Sequence, residues 1–111
     1  MKKDSTRDPV LVQHILKAVG LIESYVTDKS FSDFQDSQLL QDAVVRELLI
    51  IGEAAANLSD EFREQHPEVP YYEIIGMRNT MIHGYWLVDE EVVWDACKND
   101  LPELKEELLK I

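Results

Sequence analysis

Cysteine, glycine, proline, basic residues and long apolar runs are all scarce in this sequence, and each scarcity excludes something. Cys97 is the single cysteine. One thiol cannot close an intrachain disulfide, so the framework of a small secreted protein is excluded and a reducing, intracellular setting is favoured. Glycine and proline number four each in 111 residues, and 45% of the residues are hydrophobic. Those proportions exclude a linker or a disordered tail and fit one packed domain spanning residues 1–111. The strongest apolar run, Leu48 to Ile51, is far too short to cross a bilayer, and no signal-peptide run follows the polar start Lys2-Lys3-Asp4-Ser5-Thr6-Arg7-Asp8. A cytoplasmic protein with no membrane partner is expected.

Basic residues are scarce relative to acids. Eleven Lys and Arg face twenty-two Asp and Glu, for a net charge of −11. Affinity for phosphate chains comes mainly from clustered Lys and Arg, so this balance argues against nucleic acid. The acids are unevenly spread, however. From Ile74 to Val88 the chain reads IIGMRNTMIHGYWLV, without a carboxylate and with Arg78 as its only formal charge, so this window is +1 and the remainder −12.

What is present is helical periodicity. Leu11, Ile15, Ala18, Val19, Ile22 and Tyr25 recur at three- and four-residue steps, with Asp8 as a capping carboxylate and Pro9 at the first helical position. Ser30 to Asp36 reads as a loop or short helical turn. From about Ser37 to Leu58, the positions Leu40, Val44, Leu48, Ile51, Ala55 and Leu58 predict a long central helix. Ser59 can cap a short helix through Gln65 that Pro67 stops, Pro70 can open a fourth, and Gly84 can end it in a left-handed conformation. Asp89 can cap a last helix through Cys97 that Pro102 breaks or kinks. Strand alternation, hairpin turns and repeats are absent. The expected architecture is all-α, an antiparallel bundle of four to five helices.

Familiar catalytic devices are missing as well: no Gly-rich phosphate loop, no cysteine pair for zinc, no helical His-Glu-x-x-His and no nucleophile elbow. His14, His66 and His83 do not stand at ligand spacing, so neither a metal nor a cofactor is expected. What remains is Arg78-Asn79-Thr80-Met81-Ile82-His83-Gly84-Tyr85. The plain reading is an Arg that snorkels at the surface and a His near a helix C-terminus. On a helix, Asn79 and His83 share a face, whereas Arg78 and His83 differ by roughly 140° and converge only through long side chains or a loosened last turn. Asn79 is thus a candidate orienter of the imidazole, and Tyr85 falls near the line of Arg78 if the helix runs that far. A His for proton transfer and a guanidinium to stabilise charge on phosphorus suit phosphate chemistry. Metal-free RNA cleavage needs one group to take the 2′-hydroxyl proton and another to protonate the leaving 5′-oxygen. A two-fold symmetric dimer supplies two histidines to one cleft. Trp86, Tyr71 and Tyr72 could stack bases, with core or interface packing as the plainer use.

The stretches Asp42 to Leu48, Ile50-Ile51-Gly52-Glu53-Ala54-Ala55, Pro67-Glu68-Val69-Pro70, Ile74 to Tyr85, Val92-Val93-Trp94 and Asp100-Leu101-Pro102-Glu103-Leu104 together resemble the HepT-like ribonuclease toxins, small HEPN-domain proteins, over nearly the whole chain. The resemblance implies a homodimeric helical bundle, with Arg78 and His83 as catalytic residues of a metal-independent ribonuclease at the dimer cleft. It also implies an MntA-type nucleotidyltransferase antitoxin that transfers AMP to the Tyr85 hydroxyl, placing charge and bulk beside the catalytic pair. Two positions depart from the pattern: Gly84 stands where an acidic residue is frequent, and Tyr71 where Trp is common. A separate feature is the polar stripe Asp42, Arg46, Glu53 and Asn57, at steps of four, seven and four on the central helix. It is either a solvated face with an Asp42–Arg46 pair or a cleft lining in which Glu53 or Asn57 holds Arg78. The alternative to a ribonuclease is a non-catalytic helical dimer that docks a nucleotidyltransferase or binds a nucleotide.

Overall fold

The computed structural model describes residues 3–84 and 89–111, with the backbone alone described for residues 82–84. A 3₁₀ turn, Ser5–Arg7, leads into α1 (Asp8–Val26). There follow α2 (Phe31–Asp36), α3 (Gln38–Ala56), α4 (Asp60–Gln65), α5 (Tyr71–Gly84) and α6 (Glu90–Asp95), then a π turn, Ala96–Asp100, and α7 (Leu101–Leu109). No strand occurs among the described residues, and the fold is an all-helical bundle. No helix among them is long and apolar enough to cross a membrane.

The caps follow the polar residues between the apolar runs. Ser37 Oγ accepts from the Leu40 N–H at the start of α3, Ser59 Oγ from Phe62 N–H at α4, and Asp89 Oδ1 from Glu91 N–H at α6. The segment Ser30 to Asp36 is a true helix: Ser30 and Asp33 form a reciprocal capping box that satisfies two otherwise orphaned N–H groups. Pro102 does not break the last helix. It has no N–H for the carbonyl four residues back, and a π turn absorbs the mismatch, with the Leu101 N–H reaching the Ala96 carbonyl. Gly84 is the last residue of α5.

α3 lies at the centre, packed between α1 and α5, while α7 covers another side of α1. Ile15, Val19 and Ile22 of α1 meet Val44, Leu48 and Ile51 of α3 in one core, joined by Ile74, Met81, Leu101 and Leu104. Burial of such side chains, each worth about 1.5–3 kcal/mol, gives the bundle its main drive to fold. Phe34 and Trp94 add an aromatic contact at 5.3 Å between α2 and α6.

Asp8 does not cap its own helix. Arg7 holds that position without a side-chain hydrogen bond, and the Asp8 carboxylate is buried instead. Its oxygens accept from the Ser59 N–H at 3.0 Å and the Ser59 hydroxyl at 2.6 Å. This bond ties the beginning of α1 to the chain just beyond α3, which makes α1 and α3 antiparallel. Ser59 is fully buried, so nothing else can take up its donors. Asp8→Ala should therefore lower unfolding free energy by about 2–4 kcal/mol, the cost of two buried orphaned donors, read as a drop in the urea midpoint at unchanged slope. Cys97 gives a second check. Burial pushes its thiol up to about 12, so it stays protonated, and a thiol reagent at pH 8 should modify it only after unfolding.

Candidate functional site

α5 carries the residues of interest because the carboxylate-free window begins at its fourth residue, Ile74, and runs to its end at Gly84. Arg78 emerges where α5 packs tightly against Gly52 of α3. A Cβ added at Gly52 would overlap Arg78 Cβ and stand 2.5 Å from Cγ, so the missing side chain of Gly52 is the space that the arginine stem occupies. Glycine inside a helix costs about 1 kcal/mol relative to alanine, and this contact is the compensation. The Arg78 side chain is about one-fifth exposed, with Nη2 3.7 Å from Glu53 Oε2, while Nε is buried without a hydrogen-bond partner among the described residues. Asn57 donates to the Glu53 backbone carbonyl at 2.8 Å and to its carboxylate at 3.3 Å. Asn57, Glu53 and Arg78 thus form a short polar chain between α3 and α5.

This chain borders a cleft of about 620 Å³. Its apolar floor includes Leu11, Leu49 and Ile50, and its polar rim comprises Arg7, His14, Glu53, Asn57 and Arg78. The stripe on α3 divides accordingly. Glu53 and Asn57 belong to the cleft, whereas Asp42 and Arg46 do not pair with each other. Asp42 accepts from Gln38 Nε2 at 2.8 Å, and Arg46 turns to Glu47 at 2.8 Å. The reason is burial: the Glu47 side chain is 4% exposed, and a buried carboxylate needs a charged partner far more than an exposed one does.

Asn79 is exposed on α5, one turn before His83. The helix continues through His83 to Gly84, which sets the Arg78 and His83 α-carbons roughly 140° apart around its axis. The His83 side chain, Tyr85 and Trp86 lie outside the described residues. Tyr71 is part of the scaffold: its hydroxyl donates to the His66 carbonyl at 2.8 Å, its ring lies under Arg63, and burial raises its hydroxyl to about 12. Tyr72 is 87% exposed. No group of three or more His, Cys, Asp or Glu that could hold a metal ion occurs among the described residues.

Sequence reasoning overlooked three contributors. Gly52 had a signal, since a glycine in the middle of a strong helix flags a close approach. Arg7 and His14 also had one: with Leu11 between them they stand at steps of four and three, which aligns the residue that precedes α1 with one face of that helix.

Gly52→Ala offers a test whose sign separates the two effects at this position. Helix propensity alone predicts a gain of about 1 kcal/mol. The clash with Arg78 should instead give a net loss of about 1–3 kcal/mol in urea unfolding, together with reduced activity.

The sequence model of the family described as ribonuclease HepT-like matches residues 15–111. The chain is 46% identical over its full length to a γ-glutamylcyclotransferase and putative RNase of Methanocaldococcus jannaschii, of which it spans about half, 49%. It is 40% identical over 100 residues to a probable ribonuclease HepT of Thermococcus cleftensis, covering 90% of this chain and 91% of that one. A putative RNase of Caldanaerobacter subterraneus is 41% identical over 100 residues, covering 90% and 89%. No solved structure matches the chain. With the family match covering most of its length, and with relatives of its own size named as ribonucleases, the chain belongs to the ribonuclease HepT-like family, and ribonuclease activity is what that membership supports.

Proposed function

We propose that the protein is a metal-independent endoribonuclease that acts as a homodimer through Arg78 and His83, and that it is the toxin of a toxin–antitoxin pair. The observation that carries this reading is the state of Arg78. Its stem is fixed across Gly52, and among the described residues its guanidinium meets one carboxylate, that of Glu53, at 3.7 Å and two-thirds exposed. An ion pair that long and open is worth little. The guanidinium therefore keeps donors for an incoming phosphate, which its planar fork suits better than any other side chain.

In the proposed reaction the 2′-hydroxyl loses its proton to a general base and O2′ attacks phosphorus. The P–O5′ bond breaks, and O5′ leaves with a proton from a general acid. The products are a 2′,3′-cyclic phosphate and a 5′-hydroxyl. His83 of one subunit and His83 of its partner divide the two proton transfers, and Arg78 stabilises the charge that builds on the phosphoryl oxygens. Asn79 orients the imidazole, and Glu53, held by Asn57, steadies Arg78. A nucleotidyltransferase antitoxin neutralises the enzyme by transferring AMP from ATP to Tyr85: the hydroxyl loses its proton and attacks the α-phosphorus, the bond to the β-phosphate breaks, pyrophosphate leaves, and the added charge and bulk block the cleft.

Purified protein should cleave RNA in EDTA to give 2′,3′-cyclic phosphate ends. Arg78→Ala and His83→Ala should each slow this by about 10²–10⁴-fold with the fold intact. Glu53→Ala should reduce it less, and undiminished cleavage by a folded Glu53→Ala dimer would remove Glu53 from the account. Cleavage by Arg78→Ala at the wild-type rate would refute the assignment. Tight binding of a nucleotidyltransferase with no cleavage of any RNA would instead favour a non-catalytic docking dimer.

A further inference from the structure

Arg7 and His14 have no place in the reaction just described, yet they share the cleft with Arg78. Arg7 comes from the 3₁₀ turn before α1 and His14 from α1 itself, whereas Arg78 comes from α5. Both are exposed; neither has a side-chain hydrogen bond or ion pair among the described residues, and the Arg7 charge acts on one acid outside the cleft lining, Asp4. Glu53 is the only acid among the described lining residues. In a chain of net charge −11, a concavity that gathers two arginines and a histidine around one carboxylate is a local reversal of sign. Its floor is different in kind, with the aliphatic side chains of Leu11, Leu49 and Ile50. An apolar floor under a few convergent charged groups is the design of a small-molecule site, and about 620 Å³ lies within the usual range for one.

We propose that this cleft is a nucleotide subsite of the RNA substrate. A base lies on the Leu11, Leu49 and Ile50 floor, and its phosphate, adjacent to the one at Arg78, is held by Arg7 and His14. Such a subsite answers the difficulty posed by the net charge. The acidic surface repels backbone elsewhere, and the strand is held by two neighbouring phosphates instead of a long basic track. Arg7 and His14 are then binding residues and not part of the proton transfers. The proposal rests on the ribonuclease reading of Arg78, and its test is chosen to fail separately.

The probe is a short single-stranded RNA carrying 2′-O-methyl groups, which lacks the attacking hydroxyl and cannot be cleaved. Its dissociation constant is measured by fluorescence anisotropy over a range of salt for the full-length wild type, Arg7→Ala, His14→Ala and, as a control outside the cleft, Lys98→Ala. Arg7→Ala and His14→Ala should each weaken binding on the order of tenfold, the loss of one charge-assisted hydrogen bond. Arg7→Ala should also lower the salt slope by about 0.7, as expected for one lost phosphate contact on a single strand. Lys98→Ala should change neither. Wild-type affinity and slope in both Arg7→Ala and His14→Ala, with Arg78→Ala still defective in cleaving ordinary RNA, would overturn the subsite and leave the ribonuclease reading standing. A wild type that neither binds the probe nor cleaves ordinary RNA would overturn both.

Discussion

The close approach of α5 to α3 at Gly52 is the contact on which the rest of the site depends. It requires a residue without a side chain in the middle of a helix otherwise rich in Leu, Val, Ile and Ala, and it receives the stem of Arg78. From that single constraint follow the depth of the guanidinium, its reach to Glu53 and the shape of the cleft that α1 completes. The interaction is steric before it is electrostatic. The 3.7 Å pair with an exposed Glu53 contributes little to stability, so packing decides where the positive charge sits and the carboxylate only steadies it.

The second organising contact is the buried bond from Asp8 to Ser59. It anchors the beginning of α1 against the far end of α3, and Arg7 stands immediately before it in the chain. The bond that closes the bundle at this end is therefore also the one that brings Arg7 to the cleft.

Much of this was legible in the sequence. The period of three and four gave away α1 and α3, and Ser59 and Asp89 marked the starts of α4 and α6 because short polar side chains there satisfy orphaned N–H groups. The carboxylate-free window singled out Arg78, and the spacing on α3 put Glu53 and Asn57 on one stripe. The misses have physical causes. Asp8 reads locally as a cap, and only the tertiary fold reveals a partner fifty-one residues away. A proline near a helix end reads as a break, whereas a π turn accommodates it at less cost. The Asp42–Arg46 pair obeyed the spacing rule and lost to Glu47, whose burial no local pattern announces. His14 has no motif of its own and becomes interesting only when α1 is laid beside α3 and α5.

Net charge describes the surface of this protein and not the lining of its cleft, where two arginines and a histidine stand with one carboxylate. The central claim, that the fixed planar guanidinium of Arg78 acts on the phosphate, is tested most directly by Arg78→Lys, which keeps the positive charge and loses the fork. Single-turnover cleavage at saturating RNA should fall by at least about tenfold with thermal stability unchanged. A wild-type rate in that variant would contradict the account.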